Sequence, residues 1–361
     1  MHKILVGTLS LGLGAALLLP ATSASATPTG LDEGAGAQAL PLSETSLRVA
    51  TISTNLTAPN SEELYGQLLG GGNIEATRVA DAISAVNPDV VVITGMDAEA
   101  KAVAAFQAEY LTSPEDQRSD ISYPYSYLAV GSKGLQSGAD LDDDRVVGGP
   151  GDAWGQGAFA EQGSVVVLSK YPIQQDDVAS VTELKWGEVK GGKLQEAQLG
   201  GALAASIPVM NNGLWDIPIE YRSERVHILA AQTEPANSSQ DFSTLRQHDE
   251  LKVVSDYISG AHYLRTDQGA AAKGLKGKNF ILAGALAQPE GSATQVDPLA
   301  KKLGSQDPIN SAGNYLMPSQ NWNLLGQGRV GDDAPASFQP MTGAAPDAIE
   351  ASELIWSDIQ Y

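Results

Sequence analysis

The sequence predicts an α/β fold from residue 47 onward. Three observations carry this: a strand–helix–strand opening, an apolar run fit for burial on both faces of a sheet, and later strand-length apolar stretches between Gly-rich loops. Leu47-Arg-Val-Ala-Thr-Ile52 reads as the first strand. Asn73 can cap a helix that places Val79, Ile83 and Val86 on one face. Asn87-Pro88-Asp89 stops that helix, and Val90–Ile93 follows as a second strand, apolar throughout. Gly163–Ser169, Trp215–Ile219, Arg225–Ala230 and Asn279–Ala283 are further strands. A helix over Thr244–Ile258 would bury Leu251, Val254 and Ile258 and stop at Gly260. No repeat or long linker divides this region, so 47–361 is expected to be a single domain.

The residues ahead of it read as an export signal and a leader. Lys3 gives a positive start, Ile4–Leu19 is apolar, and Ala24-Ser25-Ala26 is a small-residue cleavage site, which makes 1–26 a signal peptide. Its apolar run is too short for a membrane span, and no later run is long enough either. Residues 27–46 are rich in Gly, Ala and Pro without apolar periodicity, as in a flexible leader. The expected location is therefore secreted or cell-envelope associated, outside the cytoplasm. The chain has no cysteine, which excludes disulfides and thiolate chemistry. With 22 basic and 43 acidic residues the net charge is −21, and such a surface disfavours nucleic acid, whose affinity comes from neutralised phosphates. The partner class that remains is an unidentified protein or envelope component.

Several segments together resemble one family. Ser122-Tyr-Pro-Tyr-Ser-Tyr127, Gly148-Gly-Pro-Gly-Asp152, Gly163-Ser-Val-Val-Val-Leu-Ser-Lys-Tyr-Pro-Ile173 and Arg246-Gln-His-Asp-Glu250 look like secreted bacterial members of the endonuclease/exonuclease/phosphatase superfamily. The resemblance covers roughly Leu47 to Pro289 and implies a sandwich of two mixed β-sheets flanked by helices. It also implies hydrolysis of phosphoesters with magnesium as the usual cofactor. The family's final Ser-Asp-His segment has no counterpart before Tyr361, so the family's last strand is expected to be missing.

The same resemblance implies an amide and a carboxylate on the metal, a His at the phosphoryl centre, and an Asp–Asn pair beside it. Aligned one at a time, these positions are degenerate. The amide position falls on Ser53 and the metal-binding Glu on Gly95. The His falls on Gln232, the Asp–Asn pair on Gly284 and Leu286, and a C-terminal Asp on Ser357, with Asp358 one place out of register. Gly and Leu ligate no metal through a side chain, and Gln cycles no proton near neutral pH. Magnesium therefore lacks its ligands, and the expectation is a catalytically inactive protein with a binding or scaffolding role.

Other residues leave alternatives open. Asn55, Asp97 and His248 are candidates to line a crevice at the strand ends. His227 reads as a strand residue and His262 as a loop residue. Asp140, Asp142 and Asp144, with Asp152 as a late ligand, resemble half of a calcium loop, although Arg145 stands at the turn position and Gly151 at the twelfth. Tyr123, Tyr125 and Tyr127 read as a strand or loop packing on the core, with a partner-facing surface as the other reading. The alternative function is a metal-dependent phosphodiesterase or phosphatase with a relocated site drawn from Asp97, His227, His248 or Asp358, acting on small or lipid phosphoesters.

Overall fold

The computed structural model describes residues 45–112, 121–234, 242–286, 293–305, 308–330 and 353–361, all within one unit spanning 36–361. The expected signal peptide and leader lie outside the described residues, apart from the last two leader positions. In chain order the elements are β1 (Leu47–Leu56), α1 (Glu63–Leu68), α2 (Ile74–Val86), β2 (Val90–Met96), α3 (Ala100–Phe106), β3 (Tyr125–Ala129), β4 (Ser164–Ser169) and β5 (Ala179–Val181). They continue with α4 (Gly201–Ser206), β6 (Gly213–Tyr221), β7 (Glu224–Gln232), α5 (Ser243–Ser259), β8 (Phe280–Ala285), α6 (Ala293–Leu303), β9 (Ile309–Ser311), β10 (Asn314–Pro318), β11 (Asn323–Val330) and β12 (Leu354–Gln360). No described helix is long and apolar enough to cross a membrane.

The strands form two six-stranded mixed sheets, ordered β11-β12-β1-β2-β4-β3 and β5-β6-β7-β8-β10-β9. Strand alternation sorts the apolar residues into three layers. Val49, Val90, Val92, Val165 and Val167 meet Ile217, Val226, Ile228, Ala230 and Ile281 between the sheets. Ala50, Ile52, Val91 and Ile93 face the other way, onto α1, α2 and α3. Leu214, Leu229 and Leu282 face α5 and α6, where Leu251, Val254 and Ile258 are buried as their spacing predicts. This is the sandwich flanked by helices that the resemblance implied.

Local chemistry accounts for the boundaries. Asn73 Oδ1 accepts from the Ala76 N–H at 3.0 Å and starts α2. Asn87 ends it in the left-handed region, its N–H donating to Ile83 O. Gly260, also left-handed, ends α5. The C-terminal strand β12 runs antiparallel between β1 and β11. Arg48 secures it from β1, donating from Nε and Nη2 to Asp358 at 2.6 and 2.7 Å. The Arg48 guanidinium also lies 4.8 Å from the centre of the Trp356 ring.

Candidate functional site

The ends of several strands meet at one place. In the first sheet Ser53 lies opposite Thr94, and Met96 opposite Ser164. In the second, Gln232 lies between Gly213 on β6 and Ala285 on β8. Side chains join the two sheets here. Asn212 Nδ2 donates to Ser164 Oγ at 3.0 Å and to Gln232 Oε1 at 2.9 Å. Gln232 Nε2 donates to Gly163 O at 3.2 Å. Asn314, on β10, is fully buried against β1. In the orientation that matches donors to acceptors, its amide oxygen accepts from the Ile52 and Ser53 N–H groups and its nitrogen donates to Gly284 O, each at 3.1 Å.

The positions expected to have carried catalysis are held by short or already partnered groups. Ser53 Oγ is 2.8 Å from Thr94 Oγ1. Gly95 has φ +74°, and a Cβ there would stand 2.1 Å from Thr54 O. Gly284 has φ +137°, and a Cβ there would stand 2.0 Å from Ala231 O. At both glycines the backbone itself excludes a side chain. Leu286 is buried in the apolar layer under α5. Ser357 pairs with Val49, four residues along β1 from Ser53, so it does not join this cluster. Asp358 is committed to Arg48.

Of the crevice candidates, Asp97 is fully buried. Its carboxylate accepts from the Gly163 N–H at 2.8 Å and the Ala58 N–H at 3.0 Å. Burial pushes its pKa up to about 6, against the pull of those two N–H groups. Asn55 is exposed, and its Oδ1 accepts from Thr57 at 3.4 Å. His248 lies on α5 with Nδ1 3.0 Å from Asp249. Asp249 also accepts from Trp186 Nε1 at 2.6 Å, a structural bond between α5 and a loop. Thus Asn55, Asp97 and His248 do not converge on one another through any contact among the described residues. His227 is buried on β7, its Nδ1 2.6 Å from Asp216, whose other oxygen accepts from Tyr257 OH at 2.8 Å.

Several polar groups beside this cluster were not among the candidate site residues read from the sequence. Glu234 Oε2 accepts from Asn211 Nδ2 at 2.8 Å and from Arg246 Nη1 at 3.1 Å. Glu250, just behind, accepts from the Asn211 and Glu234 N–H groups at 2.6 Å each. Burial, resisted by Arg246 and reinforced by Glu234, pushes Glu250 up to about 8. Lys133, in the loop after β3, donates to Gly163 O at 2.9 Å. Burial holds its pKa down to about 8, while Asp97 and Glu234 pull it back up. Arg246 and Glu250 end the Arg246–Glu250 segment that carries part of the family resemblance, whereas Lys133, Asn211 and Glu234 belong to no motif.

The acidic loop is a separate place. Asp140, Asp142, Asp144 and Asp152 bring carboxylate oxygens within 4.8 Å of one another. Backbone N–H groups hold them: Leu141 and Gly148 donate to Asp152 at 2.6 and 2.7 Å, and Arg145 donates to Asp140 at 3.0 Å. Asp140 Oδ1 is buried with no hydrogen-bond partner among the described residues. Arg145, where a calcium loop favours Gly, takes φ +72°. The oxygen set suits calcium, and the N–H groups already offset part of its charge.

Chemically, this cluster of strand ends offers amides, hydroxyls, the carboxylates of Asp97 and Glu234 and the ammonium of Lys133. Its amides and hydroxyls bind polar groups but exchange no proton near neutral pH.

Comparison with known proteins gives one family model and several distant solved structures. The model of the endonuclease/exonuclease/phosphatase family matches residues 67–284. No curated protein matches. Among solved structures, an endonuclease/exonuclease/phosphatase from Beutenbergia cavernae is 13% identical with TM-score 0.48, covering 88% of this chain and 72% of that one. The beta toxin of Staphylococcus aureus with bound magnesium ions is 14% identical with TM-score 0.46, covering 87% and 99%. Sphingomyelinase C from Streptomyces griseocarneus is 16% identical with TM-score 0.40, again covering 87% and 99%. With more than half of its length matched by the family model and two mixed sheets between helices, the chain belongs to the endonuclease/exonuclease/phosphatase family.

Proposed function

We propose that this is an exported member of the family whose phosphoester chemistry has been retired, and that it acts by binding or scaffolding at the cell envelope. The observation that carries the reading is Gly95, where a Cβ would meet Thr54 O at 2.1 Å. A glutamate cannot occupy that position without moving both strands. The neighbouring groups support the same reading, because Ser53, Gln232, Asn212 and Asn314 spend hydrogen bonds on neighbouring hydroxyls, on an amide and on the backbone. The acidic balance of the chain turns the choice of partner away from nucleic acid and toward a protein or another envelope component. The test is turnover of a phosphomonoester and a phosphodiester with magnesium, manganese, calcium and zinc. The reading expects none above the buffer blank.

A second reading is a metal-dependent phosphodiesterase or phosphatase with a relocated site, favoured by the four carboxylates of the acidic loop. It expects metal-dependent turnover of small or lipid phosphoesters that Asp142→Ala abolishes. Turnover that survives this change would count against that loop as the site.

A further inference from the structure

An open cavity of about 540 Å³ is lined by Ile173, Gln174, Gln175, Asp176, Asp177 and Arg225. It lies away from the cluster of strand ends described above. On β4, Ser164 belongs to that cluster, whereas Ile173 follows the opposite end at Ser169. On β7, Gln232 belongs to it, whereas Arg225 stands beside the opposite end at Glu224. The volume falls within the roughly 300–1,000 Å³ of small-molecule sites, but those are mostly apolar and this lining is mostly polar. A short turn at Gln175–Asp177 shapes the wall. It is fixed on both sheets, Gln174 N donating to Pro218 O and Gln175 Nε2 to Ser126 O, each at 2.9 Å. Ile173, paired with Ile219, is buried. Gln174 Oε1 is buried with no hydrogen-bond partner among the described residues, which costs free energy until something donates to it. Arg225 Nη2 donates to Asp177 Oδ2 at 2.5 Å, and the two side chains are 48% and 52% exposed. A pair so exposed contributes little by itself and can share its groups with a ligand.

We propose that this cavity binds a neutral, hydroxyl-rich glycan, held by Gln174, Asp176, Asp177 and Arg225. The inference rests on the reading of a binding role at the cell envelope and deepens it by naming the ligand class. The lining mixes acceptors with donors: the Gln174 oxygen and two carboxylates accept, and the Arg225 guanidinium donates. A phosphate or carboxylate ligand would meet Asp176 and Asp177, within a chain of net charge −21. A cationic ligand would meet Arg225. A hydroxyl donates and accepts at once without charge, so it can give its hydrogen to Gln174 Oε1 or a carboxylate and take one from the guanidinium. Adjacent hydroxyls on a sugar ring present two such groups to the planar faces of an amide, a carboxylate or a guanidinium.

The experiment titrates the full chain with maltotriose, cellotriose and triacetylchitotriose as neutral probes, trigalacturonate as an anionic one and chitotriose as a cationic one, reading binding by saturation-transfer nuclear magnetic resonance. At least one neutral trimer is expected to bind with Kd of about 10 mM or tighter, and more tightly than either charged trimer. Gln174→Leu and Arg225→Ala should each weaken that binding about tenfold, the loss of one hydrogen-bonding group. Melting temperature separates a ligand contact from a structural one. Gln174→Leu should melt within about 2 °C of the parent or above it, because the oxygen it removes has no partner in the free protein. A Gln174→Leu protein that melts well below the parent, or does not fold, makes Gln174 structural and overturns the proposal. So does a failure of all three neutral trimers to bind, tighter binding of a charged trimer, or undiminished binding in either variant. Phosphoester turnover by the parent would instead overturn the retired-site reading while leaving the glycan titrations to stand, so the two failures are distinguishable.

Discussion

A Cβ on Gly95 would stand 2.1 Å from the carbonyl oxygen of Thr54 on the adjacent strand, and Gly95 itself holds φ +74°. This contact makes the difference between a missing side chain and a missing place for one. Gly95→Glu is expected to destabilise the protein by about 2 kcal/mol or more, through left-handed strain and backbone collision together. It is also expected to give no magnesium-dependent turnover. Urea unfolding and the phosphodiester assay check both halves, and a stable, active Gly95→Glu protein would show that the backbone tolerates the ligand.

Arg48 and Asp358 form a largely buried bidentate pair joining the first and last strands of one sheet. Arg48→Met leaves the Asp358 carboxylate without its partner and is expected to cost about 3–5 kcal/mol. Adding Asp358→Leu should recover much of the loss, since the penalty lies in the stranded charge. Urea midpoints of the three proteins measure the coupling, and simply additive losses would contradict it.

Asp97 predicts a pH dependence. Its folded pKa of about 6 lies above the ordinary 3.8, so the folded state binds the proton more tightly than the unfolded chain. The contribution is fully present below about pH 4 and is lost as pH rises through about 6. Glu250 adds a second loss of the same sign, complete only near pH 8. Asp97→Asn should lower stability overall, because one backbone N–H then faces an amide NH2, and should flatten the slope between pH 4 and 6. Parallel stability curves for the two proteins would contradict the assignment.

Asp152 is buried and takes two backbone N–H groups, from Leu141 and Gly148. Asp152→Ala is expected to cost about 2–4 kcal/mol from those two charge-assisted bonds. The loss should appear with a chelator present as well as with calcium, because the bonds need no ion. Thermal melts in both conditions check this, and a loss seen only with calcium would assign the residue to the metal instead.

Much of this architecture could be read from the sequence because burial imposes a period. Val79, Ile83 and Val86 give α2 its buried face, Val90–Ile93 is apolar on both sides because cores lie on both sides, and Gly260 ends α5. Where burial was one-sided or the element short, the signal failed. The strand β11 carries Gly326 and Gly328 and an exposed Leu325, and β5 and β9 have three residues each. Tyr125 and Tyr127 proved to lie on the strand β3, while Tyr123, just before it, is buried with its hydroxyl on Pro88 O. In the crevice, the glycines and Gln232 stood out because a family pattern made them conspicuous. Lys133 and Glu234 did not, since a lone basic residue in a Gly-rich loop and an acid after a strand carry no spacing that points to each other. Only the fold brings Lys133 to the Gly163 turn and Glu234 to Asn211 and Arg246.

The central claim is tested most directly by phosphoesterase activity of the purified protein on a monoester and a diester, across magnesium, manganese, calcium and zinc, with Gln232→Ala as control. The account predicts no metal-dependent turnover above the buffer blank, and no difference between the protein and its control. Robust turnover with any of these ions would contradict it, and loss of that turnover in Gln232→Ala would place the chemistry in the crevice itself.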